Sequence, residues 1–143
     1  MKQYPLLKIL AVLPALLIVA NGSALRAEVT AEQVREAIDR AAEFLQRQQR
    51  TDGSWPDYGS YSGGVTSLCT LALLNAGLEP DEEPIRKALS WLRQLEPRTT
   101  YAASLQTMVF CKAQPQRDLL LINRNVKWLE SVQISDGPKR GAW

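Results

Sequence analysis

The sequence predicts an all-α fold made of helical hairpin repeats, and three observations support this prediction. Apolar residues recur at helical spacing in the segments 31–49, 82–95 and 119–132, whereas the segments 65–76 and 100–112 are apolar nearly all round. The chain also matches itself after a shift of 37 residues. No stretch of comparable length alternates apolar and polar residues as a half-buried strand does, so the predicted class is all-α.

Each segment carries features of a helix. The apolar face of the first is formed by Val34, Ile38, Ala41 and Leu45. The second stops before Gly77, a residue type that commonly ends helices. Asp81 is placed to cap the third helix and Asp118, 37 residues later, to start the fifth. The fourth repeats the apolar character of the second.

The two kinds of helix predict two layers. A helix that is apolar on all sides must be buried on most of them. We therefore expect 65–76 and 100–112 to be inner helices, covered by the amphipathic outer helices at 31–49, 82–95 and 119–132.

The repeat rests on identities between positions 37 apart. The identical pairs are Ser67 and Ser104, Leu68 and Leu105, Thr70 and Thr107, Ala76 and Ala113, Asp81 and Asp118, Ile85 and Ile122, Trp91 and Trp128, and Leu92 and Leu129. An earlier partial copy lies 47 positions before the second, with Phe44 and Leu45 matching Trp91 and Leu92. The ten extra residues belong to a loop, where insertions are tolerated.

The first 27 residues have the composition of an export signal. Lys2 and Lys8 flank an apolar run over residues 6–20, and small residues follow it. We expect cleavage and an exported protein. The alternative is an uncleaved anchor through residues 6–24, which leaves residues 28–143 facing away from the cytoplasm.

The remaining composition excludes several kinds of function. Residues 28–143 carry 14 basic and 15 acidic side chains, which gives no support for nucleic-acid binding. The chain has no histidine, which excludes His-based catalysis and imidazole metal sites. We expect no cofactor and no metal site. Cys69 and Cys111 are expected to be unpaired core residues, because their positions in the repeat put them beyond disulfide reach.

Two stretches at outer-helix ends suggest a family. The first, Phe44-Leu45-x3-Gln49-x3-Gly53-x-Trp55, resembles the QW motif of the prenyltransferase and squalene oxidase repeat, found in squalene-hopene cyclases and protein prenyltransferases. Trp128-Leu129-x3-Gln133-x3-Gly137 is similar to its first half, with the final Gly-x-Trp delayed to Gly141-Ala142-Trp143. The middle copy has Glu96-Pro97 instead. The resemblance covers residues 31–143.

The resemblance implies an α/α toroid in which inner helices line a cavity and the motif ties one hairpin to the next. The implied structural residues are Gln49, Asp52, Gly53, Trp55, Gln133, Asp136, Gly137 and Trp143. Tyr101, Met108 and Phe110 lie on an inner helix and are candidates to line a cavity, although a stripe of this kind is more often core.

The catalytic residues of the family are not matched. The chain contains no Asp-x-Asp-Asp motif of the cyclases and no zinc set of the prenyltransferases. The acidic cluster Asp81-Glu82-Glu83 lies at a helix start, where carboxylates favour the helix dipole, so we interpret it as structural. These observations favour a protein that is not an enzyme.

We expect an exported, non-catalytic repeat protein, or the N-terminal fragment of a larger toroid protein. The chain supplies about two and a half hairpins, an incomplete ring, and association with another repeat-containing chain would cover its apolar ends. The alternative is part of a terpene cyclase or prenyltransferase whose catalytic residues lie beyond residue 143. A tetratricopeptide array has a period of about 34 residues and does not account for the QW motif.

Overall fold

The computed structural model describes residues 29–57, 59 and 62–143. The predicted signal peptide or anchor at residues 1–27 lies outside the described residues. We describe the unit Ala31–Trp143. Its described residues form five α-helices and no strand, which confirms the all-α class: α1 (Ala31–Gln48), α2 (Gly64–Ala76), α3 (Glu83–Leu92), α4 (Thr100–Ala113) and α5 (Leu119–Val132). None of these helices is both long enough and apolar enough to cross a membrane.

The two helices that are apolar nearly all round lie at the centre of the packing. α2 and α4 contact each other most extensively, α1 and α3 pack on α2, and α5 packs on α4. Phe110 and Val109 from α4, Leu73 from α2 and Leu89 from α3 are all at most 1% exposed in one core. Burying side chains of this size contributes roughly 1.5–3 kcal/mol each. Burial accounts for only part of their apolar surface, since Leu68 of α2 and Tyr101 and Met108 of α4 are exposed.

The repeat of 37 residues is visible in hydrogen bonds as well as in identities. The N–H of Gly77 donates to Leu73 O at the end of α2, and the N–H of Gln114 donates to Phe110 O at the end of α4. Gly77 has the left-handed backbone (φ 107°) that favours glycine after a helix, as its position predicts. The hydroxyls of Thr70 and Thr107 also bond the carbonyls of Thr66 and Ala103, four residues earlier, both at 2.7 Å.

The third helix differs from its predicted bounds and cap. It ends at Leu92 rather than residue 95, because Pro97 disfavours helical backbone at Glu96 and the chain tightens into i to i+3 bonds at Gln94 and Leu95. Glu82, not Asp81, is its N-cap residue. The Glu82 side chain makes no capping bond to the helix and instead accepts from the backbone N–H of Glu79 at 2.7 Å.

Asp118 precedes α5 as predicted, but its carboxylate does not cap the helix. Its oxygens accept from Arg93 Nε at 2.8 Å and Nη2 at 2.9 Å, and Nη2 also donates to Gln114 Oε1 at 2.8 Å. The Asp118 side chain is 2% exposed and the Arg93 side chain 19%. This bidentate pair fastens the end of α3 to the turn between α4 and α5.

We expect Asp118→Asn to lower the free energy of unfolding by about 3 kcal/mol, because it leaves a largely buried guanidinium without its counter-charge. Urea unfolding measures the change. The matched control is Glu83→Gln, which removes the exposed Glu83–Lys87 pair and is expected to cost less than about 0.5 kcal/mol. Equal effects of the two substitutions would contradict a structural role for the buried pair.

Candidate functional site

The first QW-like motif joins the end of α1 to the start of α3. The side-chain amide of Gln49 donates to Gly53 O at 3.0 Å and to Pro84 O at 2.8 Å. The indole Nε1 of Trp55 donates to Leu45 O at 2.9 Å. Leu45 O lies in the last turn of α1, where backbone carbonyls have no helical partner. The motif therefore satisfies a helix end and reaches the next outer helix with the same side chains.

The loop between Gln49 and Trp55 approaches α3 closely. A Cβ on Gly53, whose φ is +93°, would lie 2.5 Å from the carbonyl carbon and oxygen of Lys87 and 2.9 Å from Ala88 N. Asp52 Oδ1 accepts from the backbone N–H of Ser54 at 2.9 Å and from its hydroxyl at 2.7 Å. These two hydrogen bonds, the backbone one first, lower the pKa of Asp52 below its ordinary value. Asp52 thus shapes the turn that brings Gly53 against α3.

Trp55 is buried and also anchors the start of α2. Its side chain and backbone are 3% exposed. The backbone N–H of Trp55 donates to Thr66 Oγ1 at 3.0 Å, inside the first turn of α2. The motif consequently contacts three helices, α1, α2 and α3, and its polar groups are engaged in holding them.

The second motif forms the same pair of side-chain bonds at the end of α5. Gln133 Nε2 donates to Gly141 O at 2.9 Å, as Gln49 does to Gly53 O. Trp143 Nε1 donates to Leu129 O at 2.8 Å. Leu129 occupies the position of Leu45 in the repeat. The structure therefore places Gly141, rather than Gly137, at the position that Gly53 has in the first loop.

The backbone of the two loops agrees as well. Arg50 N bonds Ser54 O and Gly53 N bonds Arg50 O in the first. The second has the corresponding bonds from Ile134 N to Ala142 O and from Gly141 N to Ile134 O, at 2.9 and 2.8 Å. The four additional residues form an exposed tip that contains Asp136 and Gly137.

The two motifs differ in burial. Trp143 is 60% exposed, against 3% for Trp55, and Gln133 is exposed. The Gln49 amide donates a second hydrogen bond, to Pro84 O of α3. Among the described residues, the Gln133 amide donates to Gly141 O and has no equivalent bond to a neighbouring helix. The second motif is formed but not covered.

The middle repeat satisfies the equivalent carbonyl by another route. Leu92, which corresponds to Leu45 and Leu129, accepts a hydrogen bond from Gln106 Nε2 of α4 at 2.9 Å. Gln106 Oε1 in turn accepts from Asn125 Nδ2 of α5 at 2.7 Å, and both side chains are at most 2% exposed. An amide from the central helix thus replaces the missing motif tryptophan.

A pocket of about 360 Å³ lies beside this network, between the end of α3 and α5. It is lined by Glu96, Pro97, Arg98, Arg124, Asn125 and Trp128. Arg124 and Asn125 correspond in the repeat to Lys87 and Ala88, the residues against which Gly53 packs. The pocket therefore occupies the place that a motif loop fills in the first repeat.

The residues predicted to line a cavity do not share one environment. Phe110 is fully buried in the core, while Tyr101 is 46% and Met108 52% exposed on the same helix. The acidic cluster is exposed and engaged locally, since Glu82 Oε1 accepts from Glu79 N and Glu83 pairs with Lys87. The hydrogen bond from Lys87 to Glu83, and then the positive charge of Lys87, lower the pKa of Glu83 below its ordinary value.

The two cysteines are the remaining reactive side chains among the described residues. Both are free thiols, as predicted, but Cys69 is half-buried and Cys111 exposed, so the prediction that both are core residues was wrong. Burial raises the pKa of Cys69. Within the described ranges, no three His, Cys, Asp or Glu side chains are arranged to hold a metal ion.

The sequence alone did not reveal the Gln106–Asn125 network or the pocket. Both amides lie on the predicted helices 100–112 and 119–132, and Gln106 corresponds to Cys69 in the repeat. The available signal is a polar amide within a segment that is otherwise apolar nearly all round, because a buried amide requires partners.

The helices and their hydrogen-bonded loops define an all-α protein with a repeat-like organisation. Comparisons of the chain with models of protein families, with curated proteins and with solved structures found no match.

We expect Gly53→Ala to lower the free energy of unfolding by more than about 3 kcal/mol, because a positive φ costs about 1–2 kcal/mol and backbone atoms at 2.5 Å force the loop away from α3. Gly141→Ala is the matched control: its φ is +84°, but a Cβ there meets open space. Chemical unfolding of both variants separates the two effects. A cost for Gly53→Ala no larger than that of the control would contradict the close approach.

Proposed function

We propose that the chain is an exported, non-catalytic helical repeat protein of the prenyltransferase and squalene oxidase repeat type, with hairpins arranged as in an α/α toroid. The observation that carries this proposal is the agreement of the two motif loops. Each places a glutamine amide on a glycine carbonyl and a tryptophan indole on the carbonyl of a repeat-equivalent leucine. Such agreement at separate positions supports a repeated structural element.

The packing supports the toroid-type arrangement. α2 and α4 lie side by side, and α1, α3 and α5 pack on them. This is the relation expected of inner and outer helices in successive hairpins. The contact of Gln49 and Gly53 with α3 adds a tie between neighbouring outer helices.

A non-catalytic role is supported by how the motif side chains are used. Gln49, Asp52 and Trp55 direct their polar atoms to the backbone or to Ser54 within the same loop and its neighbouring helix. In a scaffold protein, polar side chains of this kind hold the helical hairpins together and take no part in a reaction. Export is proposed from the composition of residues 1–27.

Association with another repeat-containing chain is supported by the second motif. Its loop is already folded, yet Trp143 is exposed, and so are Val132 and Ile134 in the same segment of the chain. An exposed apolar surface of this kind is typical of interaction sites.

The functional proposal is tested by incubating the exported protein with squalene and, separately, with farnesyl diphosphate, and analysing the organic extract by mass spectrometry. We expect both substrates to be recovered unchanged. Formation of a cyclised or transferred product by this chain would overturn the non-catalytic proposal and favour the rival, a terpene cyclase or prenyltransferase. N-terminal sequencing of the exported protein tests cleavage near residue 27.

The structural role of the motif is tested by comparing Trp55→Ala with Trp143→Ala. Loss of the buried Trp55 side chain is expected to cost about 3–5 kcal/mol. Trp143 is mostly exposed, so its replacement is expected to cost about 1 kcal/mol, the worth of one hydrogen bond. Thermal and urea unfolding measure both, and an unchanged melting temperature for Trp55→Ala would show that the motif does not hold this fold together.

A further inference from the structure

The pocket between α3 and α5 is open because the second repeat is shorter than the first. The first outer helix is followed by the loop that brings Gly53 onto the backbone of Lys87 and Ala88. The corresponding loop after α3 is reduced to Glu96-Pro97-Arg98, and the repeat-equivalent residues of α5, Arg124 and Asn125, line the vacant space.

The pocket carries positive charge that the described protein does not neutralise. Arg124 donates only to uncharged oxygens: Leu95 O at 2.9 Å, Asn125 Oδ1 at 3.3 Å and Gln106 Oε1 at 3.5 Å. Arg98 forms no hydrogen bond or ion pair with any described residue. Arg93, by contrast, lies a few residues earlier and is matched by Asp118. Two guanidinium groups with free N–H donors are therefore available to a ligand.

Arg124 is held in position before any ligand arrives. Its guanidinium contacts the carbonyl that ends α3 and the buried Gln106–Asn125 pair, whose own hydrogen bond is 2.7 Å. Ordering a free arginine side chain costs up to about 2 kcal/mol, and here that cost is met by folding. Its Nε and Nη2 groups are engaged in these bonds, and Nη1 remains to donate to a carboxylate oxygen of a ligand.

The other lining residues indicate what else the ligand carries besides a negative charge. Pro97 is buried and Trp128 is half-buried, so the pocket offers apolar surface beside the charges. Glu96 is the one acidic lining residue, and it disfavours a ligand with several negative charges while offering an acceptor to an ammonium group. The volume of about 360 Å³ falls within the range of small-molecule pockets.

We propose that this pocket binds a small amino carboxylate, such as a free amino acid with an apolar side chain. The carboxylate accepts hydrogen bonds from Arg98 and Arg124, and the ammonium group pairs with Glu96. The apolar side chain packs against Pro97 and Trp128. The proposal rests on the geometry of α3 and α5 and not on membership of a repeat family, so the two stand or fall separately.

Isothermal titration with three probes tests the ligand class. L-phenylalanine carries both charges, 3-phenylpropionate lacks the amine and phenethylamine lacks the carboxylate. We expect saturable binding of L-phenylalanine, about tenfold weaker binding of 3-phenylpropionate and about 100-fold weaker binding of phenethylamine, since each lost charged contact of about 1.4 kcal/mol is a factor of ten and the carboxylate contacts two arginines. Absence of saturable heat with both carboxylates, or binding of phenethylamine as tight as that of L-phenylalanine, would overturn the proposal.

Variants locate the binding in this pocket. Arg98→Gln removes a side chain that has no bond within the described protein, so the fold is expected to persist while the affinity for L-phenylalanine falls about tenfold. Glu96→Gln is expected to leave 3-phenylpropionate binding intact and to abolish the preference for L-phenylalanine. Arg86→Gln, an exposed position on α3 outside the pocket, is the matched control and should change nothing. Circular dichroism verifies folding, and unchanged affinity in Arg98→Gln would refute the assigned site.

Discussion

The structure depends on how the last carbonyls of its outer helices are satisfied. Leu45, Leu92 and Leu129 occupy equivalent positions in the repeat, and each accepts a side-chain N–H: from Trp55, from Gln106 and from Trp143. Leu92 O also accepts the backbone N–H of Leu95 at 3.1 Å. Carbonyls in the last turn of a helix lack the usual partner four residues later, and burying one unsatisfied costs about 1–3 kcal/mol. A long side chain whose N–H donates to such a carbonyl satisfies it. The loop or helix that carries this side chain is thereby held against the helix end. The connection between neighbouring helices follows from the same bond.

Which donor is used decides what surrounds each helix end. Where the donor is a tryptophan on the following loop, the loop must fold tightly, and Gly53 then lies against the backbone of α3. Where the donor is Gln106, the bond comes from the central layer, and no loop is needed beside α5. The buried amide must then be satisfied at its oxygen, and Asn125 and Arg124 supply those donors at 2.7 and 3.5 Å. The pocket and the polar side chains that line it thus both follow from the use of Gln106, rather than a loop tryptophan, as the donor to Leu92 O.

Periodicity predicted the elements, although burial does not follow it everywhere, since Val34 and Ile38 of the predicted face of α1 are exposed. The all-α class, the five helices and the distinction between apolar and amphipathic segments followed from apolar spacing, and the ends of the central helices followed from Gly77 and the shift of 37 residues. The end of α3 did not, because Pro97 disfavours helical conformation at Glu96 in a way that a spacing rule ignores. The N-cap residue, Glu82, also lies one position from the predicted one. The place of Gly141 in the second loop also required geometry, since Asp136-Gly137 copies the sequence of Asp52-Gly53 while only Gly141 takes its hydrogen bond. The Gln106 network was missed because a single polar residue in an apolar helix does not say where its partners lie.

The second motif separates the formation of the loop from its packing. Its hydrogen bonds match those of the first within 0.1 Å for both the glutamine and the tryptophan, although Trp143 is 60% exposed and Trp55 only 3%. The same hydrogen bonds therefore form with and without a neighbouring helix packed on the loop. A surface that is ordered before contact loses little conformational entropy when another helix packs on it. Trp55 lies in the core with side chains of α2 and α3, whereas Trp143 forms the same indole bond with most of its side chain exposed.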